Sequence, residues 1–315
     1  MPSPDEQRLV VMGECSYTAR IVRKLLQLNV VPAAVIVRGG VQYFDPFENL
    51  RIVGPSPYWY RDHRYTFQEW RPDLAAVCAA SKIPFQERID VFAEEIPGDV
   101  LLVAGFSPLV PKPVLEEFGA AALNAHPSLL PRFAGPQPEA QVILHGLKKN
   151  GVSIHTMTSR FDDGPVRYQA PYRVPHDSTV GSMELRGAVG VAHGMAALLR
   201  QPVKDWSVVP TQGERHYLSF FDENVLDLSQ SQNLAQVRLA MRLRPEGYAY
   251  LDVDGKRIYP MRLAEPEQGQ AFPWRQDVLW LAEWVEVEDS QAYYSVTTTR
   301  SNDSSSRKAP PGGGR

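Results

Sequence analysis

In LNAHPSLLPRFAGPQPE, residues 123–139, an amide (Asn124), an imidazole (His126) and a hydroxyl (Ser128) occupy alternate positions. Residues two apart on an extended chain share a face, and Pro127 pushes His126 towards extended geometry. The spacing predicts a strand end from which three polar groups project together. About 36 residues after His126, Phe161-Asp162-Asp163-Gly164 follows the alternating segment GVSIHTMTS. An amide, an imidazole and a carboxylate brought together suit attack by an amine on an acyl carbon. The imidazole moves a proton between attacking and leaving nitrogens, the amide N–H holds the developing oxyanion, and a nearby carboxylate raises the imidazole's proton affinity and orients it. Without tertiary support the same residues read as a polar strand end running into a proline-rich surface loop.

The surrounding pattern supplies elements that could hold such a trio. RLVVMGE (8–14) and PAAVIVRG (32–39) are short apolar runs flanking a segment with helical spacing at Ile21, Leu25, Leu26 and Leu28. Strand, helix, strand predicts a βαβ unit and a parallel sheet. RPDLAAVCAASKIPF continues as helix into strand, DVLLVAGFSPLVP (99–111) as a buried strand ending in a loop, and PKPVLEEFG as a short helix stopped by Gly119. EAQVILHGL reads as a helix, GVSIHTMTS and RYQAPYRV as strands around the turn RFDDGPV, and 179–201 as a long helix. In an open parallel sheet, ligand sites form beyond the carboxyl ends of the strands, and both polar segments are expected to finish there. The fold class expected is α/β, with a Rossmann-like, mostly parallel sheet in a catalytic domain (1–202) and a smaller β-rich, barrel- or OB-like domain (203–300). In the second domain LAQVRLAMRL predicts a helix, DVLWLAEWVEVED and AYYSVTTT predict strands, and alternation around Asp254-Gly255 predicts a hairpin. Residues 301–315 are low-complexity and read as a disordered tail.

Composition narrows the function classes. The 315 residues are 43% hydrophobic and carry a net charge of −3, so no basic field draws in nucleic acid or anionic lipid. Cys15 and Cys78 have neither CxxC spacing nor a partner pattern, which excludes a disulfide framework or zinc knuckle and fits a reducing compartment. The start MPSPDEQRLVVMGE lacks a signal-peptide pattern, and no run reaches a membrane-spanning length of ~18 apolar residues. A cytoplasmic protein without a membrane or metal partner is expected. Single polar residues elsewhere carry less: His155 reads as a packed or hydrogen-bonded strand histidine, His145 as a helix C-terminal one, and Cys15 as a small residue. Gly13 lacks the GxGxxG context of dinucleotide binding. Residues 40–70 form an aromatic-rich insert that reads equally as a structural plug or a substrate lid, with Arg61, His63 and Arg64 read as a solvated loop face rather than as a site for a phosphate or carboxylate.

LNAHPSLLPRFAG followed by NGVSIHTMTSRFDDGPV resembles the 10-formyltetrahydrofolate-dependent formyltransferases, over roughly residues 8–200. The resemblance places Asn124, His126 and Asp162 on the family's catalytic Asn, His and Asp; Asp162 fits rather than Asp163 because the family's aspartate lies two before the glycine. It implies a pterin site lined by Phe106, Ser107, Leu109, Val110 and Pro111, completed by main chain at Phe161, Asp163 and Gly164. It further implies a cis bond before Pro131 and a loop-ordering role for Ser128. The implied reaction is formyl transfer from 10-formyltetrahydrofolate to a primary amine of a small-molecule acceptor: an amino sugar nucleotide, an amino acid or a peptide-like metabolite. Methionyl-tRNA formyltransferase is the alternative, suggested by length and by EGYAYLDVDGKRIY, which resembles the tRNA enzymes' small β-barrel domain. Against it, Ala134-Gly135 stands where many members have Arg-Gly, and residues 201–300 hold 10 Lys+Arg against 15 Asp+Glu. A catalytically silent folate- or partner-binding member is the reading from a different class. Hydrolysis of the donor would call for an extra N-terminal regulatory domain that this length does not accommodate.

Overall fold

A strand in the middle of a sheet covered on both faces must be apolar throughout, and LVVMG and VLLVA meet that demand: every residue of both is buried. The computed structural model describes residues 7–13, 15–38, 70–106, 108–136, 138–176, 178–217, 225–227, 248–253, 256–263, 269–274 and 277–287. In chain order the first part comprises β1 (Leu9–Gly13), α1 (Ser16–Gln27), β2 (Ala34–Arg38), α2 (Trp70–Ala80), β3 (Phe85–Arg88) and β4 (Val100–Ala104). It continues with α3 (Lys112–Phe118), β5 (Ala122–His126), α4 (Pro138–Leu144), β6 (Lys149–Thr156), β7 (Val166–Arg173) and α5 (Val180–Leu198). These seven strands form one sheet in the order β3-β2-β1-β4-β5-β6-β7. The five from β3 to β5 run parallel, while β6 is antiparallel to β5 and β7 antiparallel to β6. Strand order reverses between β1 and β4, the switch point beside which open α/β sheets bind ligands.

Alternation sorts the strand residues into two cores. Leu9, Val11, Leu102, Leu123 and Ala125 face Ile21 and Leu25 of α1 and Val191 and Met195 of α5. Val10, Met12, Leu101, Val103 and Ala122 face the other way, with Phe118 and Val110. Asn124 and His126 have the parity of Ala122, so they lie on this second face at the carboxyl edge of the sheet. Gly13 is explained by packing: a Cβ there would lie 2.2 Å from Ala104 O and 2.0 Å from Thr18 Oγ1, the hydroxyl that itself donates to Ala104 O at 2.7 Å.

A buried polar cluster joins α1, α4 and α5. Arg20 pairs with Glu184 and donates to Gly181 O, and Glu139, 5% exposed, adds a second carboxyl to one guanidinium. Burial first, then the neighbouring Glu184 charge, pushes the Glu139 carboxyl well above its ordinary 4.5, with Arg20 opposing. A carboxyl raised on folding keeps its contribution to stability below the unfolded value and loses it as pH climbs towards the folded one. Glu139→Gln, which is neutral at every pH, is therefore expected to melt higher than wild type at neutral pH. The advantage should shrink to nothing near pH 4, and thermal melts across that range check it.

Chain packing against this unit continues past the expected junction at Gln201-Pro202. Trp206 is buried in the first core and its Nε1–H donates to Leu198 O at 2.8 Å; residues up to Tyr217 contact the loops described below. A second sheet, order β11-β12-β10-β9-β8, contains β8 (Val225–Asp227), β9 (Tyr248–Val253), β10 (Lys256–Leu263), β11 (Gln270–Trp274) and β12 (Asp277–Val287). Val253 pairs with Lys256, which brackets the expected Asp254-Gly255 turn. Insert residues 40–69, the helix expected at LAQVRLAMRL, the strand at AYYSVTTT and the tail 301–315 lie outside the described residues.

Candidate active site

Strand β5 delivers Asn124 and His126 to one face, and the antiparallel register sets His155 directly opposite Asn124 and Ser153 opposite His126. That register corrects one expectation. Because β6 runs against β5, its carboxyl end lies towards the amino end of β5, and the two segments do not finish at a common edge. Asp162 reaches the trio another way: loop 157–165 folds back over the strands. It is closed by Met157 N–H to Ala122 O (2.7 Å) and Thr156 N–H to Pro165 O (3.0 Å). Gly164 is obligatory in this turn, since a Cβ there would sit 1.7 Å from Thr156 O. Asp162 adopts a left-handed φ of 49°, a conformation more accessible to Asp than to most residues.

Asp162 gathers the site. Its Oδ2 accepts from Gly135 N–H at 2.8 Å and its Oδ1 from Asn124 Nδ2 at 3.2 Å. Oδ1 also lies 3.5 Å from both His126 Nδ1 and His155 Nε2. His126 Nε2 is 2.8 Å from Phe133 O. A carbonyl only accepts, so Nε2 carries the hydrogen and the neutral ring keeps its lone pair on Nδ1, beside the carboxylate. The same argument at His155, whose Nδ1 is 3.0 Å from Thr156 O, leaves its Nε2 to accept from Asn124 Nδ2 at 3.1 Å. Both hydrogens of the Asn124 amide thus have partners. His155 is 1% exposed and hydrogen-bonded, as its strand position predicts; that it tethers Asn124 was not legible, because strand register does not appear in local pattern.

Burial pushes the His126 imidazole below its ordinary 6.5, against the Asp162 charge and the Phe133 carbonyl, which raise it; His155 lowers it further. The carboxylate acts in the expected direction, but desolvation wins, so the ring is neutral at neutral pH. For Asp162, burial pushes up and is outweighed: the charge of His126 when that ring is protonated, the neighbouring His155 ring and Gly135 N–H hold it well below the usual carboxylate range. Its donors Gly135 N–H and Asn124 Nδ2–H are neutral and favour the ionised carboxylate whichever state His126 adopts.

The loop after β5 is held as the resemblance implies. Leu130-Pro131 is cis, and Ser128 Oγ–H donates to Arg132 O at 2.7 Å. Ser153 Oγ–H donates to Ser128 O and its oxygen accepts from Leu130 N–H. Ala134 is wholly buried with Leu130, Val166 and Val209, which leaves no room for an arginine side chain. Of the residues expected to line the pterin site, Leu109 and Phe161 are 49% and 41% exposed. Phe106 stacks edge-on to Phe92 at 5.8 Å, Val110 is buried in the second core, and Pro111 caps α3. Asp163 pairs with Arg160 and Arg215. Ser107 lies outside the described residues. His145 bonds Gln141 O one helical turn back, and the Cys15 sulfur lies where a Cβ on Gly105 would clash. Among the described residues no cluster of His, Cys, Asp or Glu could hold a metal, and no helix is long and apolar enough to cross a membrane.

The formyl transferase family model matches residues 67–197. The chain is 25% identical over 197 residues to the methionyl-tRNA formyltransferase of Halalkalibacterium halodurans, covering 62% of this chain and 56% of the relative. The chain spans about half the length of the first curated relatives it matches. The fold is shared with HypX from Aquifex aeolicus in complex with tetrahydrofolic acid, at a TM-score of 0.58 and 14% identity over 89% of this chain and 44% of that one. It is also shared with WlaRD, a sugar 3N-formyl transferase crystallised with dTDP and 5-N-formyl-THF, at 0.53 and 12% identity over 90% and 97%.

Proposed function

We propose that the protein transfers a formyl group from 10-formyltetrahydrofolate to a primary amine of a small-molecule acceptor, with Asn124, His126 and Asp162 as the reacting machinery. The observation that carries the reading is a buried imidazole whose lone pair, on Nδ1, faces an ionised carboxylate, with an amide donor beside both. The exposed apolar surfaces of Leu109 and Phe161 fit the flat pterin of the donor, and the donor supplies the activated formyl carbon.

His126 Nδ1 takes the proton that the acceptor nitrogen sheds on attack, directly or through one water. The new Nδ1–H then donates to Asp162 Oδ1 and takes the place of the Asn124 hydrogen bond there. One Asn124 N–H is released to the oxyanion that forms on the formyl group, while His155 keeps the amide in orientation. His126 returns the proton to the departing donor nitrogen as the carbon–nitrogen bond breaks, leaving a formamide and tetrahydrofolate.

A second reading, methionyl-tRNA as acceptor, is favoured by the relatives found. The acidic balance of residues 201–300 and the enclosed Ala134 favour the small acceptor. Release of tetrahydrofolate is measured with amino sugar nucleotides, amino acids and charged methionyl-tRNA in turn. Turnover with a small amine supports the proposal; turnover with tRNA alone replaces it by the second reading. Tight donor binding without turnover on any amine assigns the chain to the silent class.

A further inference from the structure

The segment that follows α5 does not leave the site. Val209 N–H donates to Val166 O at 2.8 Å, and Val209 packs on the Leu130, Ala134 and Val166 cluster. Seven residues later the chain lies along the loop after β5. His216 N–H donates to Pro131 O at 3.1 Å, Ala134 N–H donates to His216 O at 3.0 Å, and the His216 ring meets Phe133 edge-on at 6.4 Å. That loop supplies the Phe133 carbonyl to His126 and the Gly135 N–H to Asp162. Between these anchors Arg215 reaches to the other loop. Its Nη2 donates to Phe161 O at 2.9 Å and its Nε lies 3.2 Å from Asp163 Oδ1, with Tyr217 stacked at 5.2 Å.

Phe161 and Asp163 are the two neighbours of Asp162, and Asp162 is the residue held at positive φ. Such a conformation persists when the surroundings over-determine it. Inside the site the Asp162 carboxylate has hydrogen bonds from Gly135 and Asn124, and in the reaction above it trades the latter. We propose that Arg215 is a positioning residue: its forked guanidinium binds the Phe161 carbonyl and the Asp163 carboxylate on either side of Asp162, while His216 fastens the same segment to the loop serving His126, so residues 209–217 hold the Asp162 carboxylate at its distance from the imidazole. This rests on the reading of the site under Proposed function. The matched family region stops at residue 197, so the clamp lies outside it.

The sign of one measurement separates positioning from simple charge. The groups facing His126 are Asp162, His155 and the Phe133 carbonyl. Removing the Arg215 cation without moving Asp162 would raise the imidazole's proton affinity. Releasing Asp162 would lower it. The experiment titrates the His126 ring by NMR, assigned with His126→Gln, in wild type, Arg215→Ala and Arg215→Lys. The His126 titration is expected to move to lower pH in Arg215→Ala and by a smaller amount in Arg215→Lys, which keeps the charge without the fork. With a productive acceptor, kcat should fall about tenfold in Arg215→Ala, within the range expected for sub-ångström misplacement, and Asp163→Asn added to it should cost nothing more. A His126 titration that stays in place or moves up overturns the proposal; Arg215→Lys supplies the same test if Arg215→Ala fails to fold. A wild-type protein that turns over no amine rejects the formyltransfer reading instead, and the titration still decides whether Arg215 holds Asp162.

Discussion

Replacing His126 by alanine is expected to lower kcat by about 10²–10⁴-fold, the usual contribution of a positioned general acid–base group, while donor affinity changes little. The expectation follows from where the ring's hydrogen sits. With Nε2 committed to Phe133 O, only Nδ1 can accept a proton, and it does so beside Asp162. The His126 ring is buried, so its removal also leaves the Phe133 carbonyl without its donor. A loss of stability of about 1–3 kcal/mol accompanies an orphaned buried group, and rates should be compared well below the melting temperature. Stopped-flow or steady-state release of tetrahydrofolate gives kcat; calorimetric titration with the donor gives the affinity. Loss of donor binding together with rate would place His126 in the donor site and not in proton transfer. The pH profile carries a sign as well. Burial holds the imidazole below 6.5, so the base form is present at neutral pH and is lost only as pH falls through that lowered value. The acidic limb of kcat/KM should therefore lie below pH 6.5.

Asp162→Asn is expected to cost roughly 10²-fold or more in kcat and to move that limb to still lower pH. The carboxylate is the group that raises the imidazole's affinity for a proton; an amide in its place cannot hold the imidazolium. Stability should respond in a matching window. A carboxyl depressed on folding contributes fully above its unfolded value and loses that contribution as pH falls through the folded one. Against an ordinary value of 3.8, wild type should exceed Asp162→Asn in melting temperature at neutral pH, and the difference should shrink as pH drops below about 4. A limb that stays in place in this variant would show that the carboxylate does not sense the imidazole's charge.

The parts of this site that were legible in the sequence are those that local periodicity determines. Alternation put Asn124 and His126 on one face, the apolar runs at 9–13 and 100–104 announced buried parallel strands, and Gly164 two after Asp162 signalled a tight turn. What was not legible is long-range. Nothing local to GVSIHTMTS says that the strand runs antiparallel to β5, and with that direction went the expectation of a shared edge. His155 has the periodicity of any half-buried strand residue; only register brings it against Asn124. Phe133 O and Gly135 N–H act through backbone atoms, whose direction depends on loop geometry and not on residue type. Arg215 lies 53 residues past Asp162, beyond the expected end of the catalytic domain at residue 202. Val110, an expected lining residue, is buried in the second core.

The most direct test follows the formyl carbon itself. 10-Formyltetrahydrofolate labelled with ¹³C at the formyl group is mixed with the protein and an amine acceptor, and the label is traced by NMR. Formyl transfer through His126 predicts a formamide resonance on the acceptor, growing in step with tetrahydrofolate and absent with His126→Ala. Label that stays on the donor with every amine, or that appears as free formate independently of the acceptor, would contradict it.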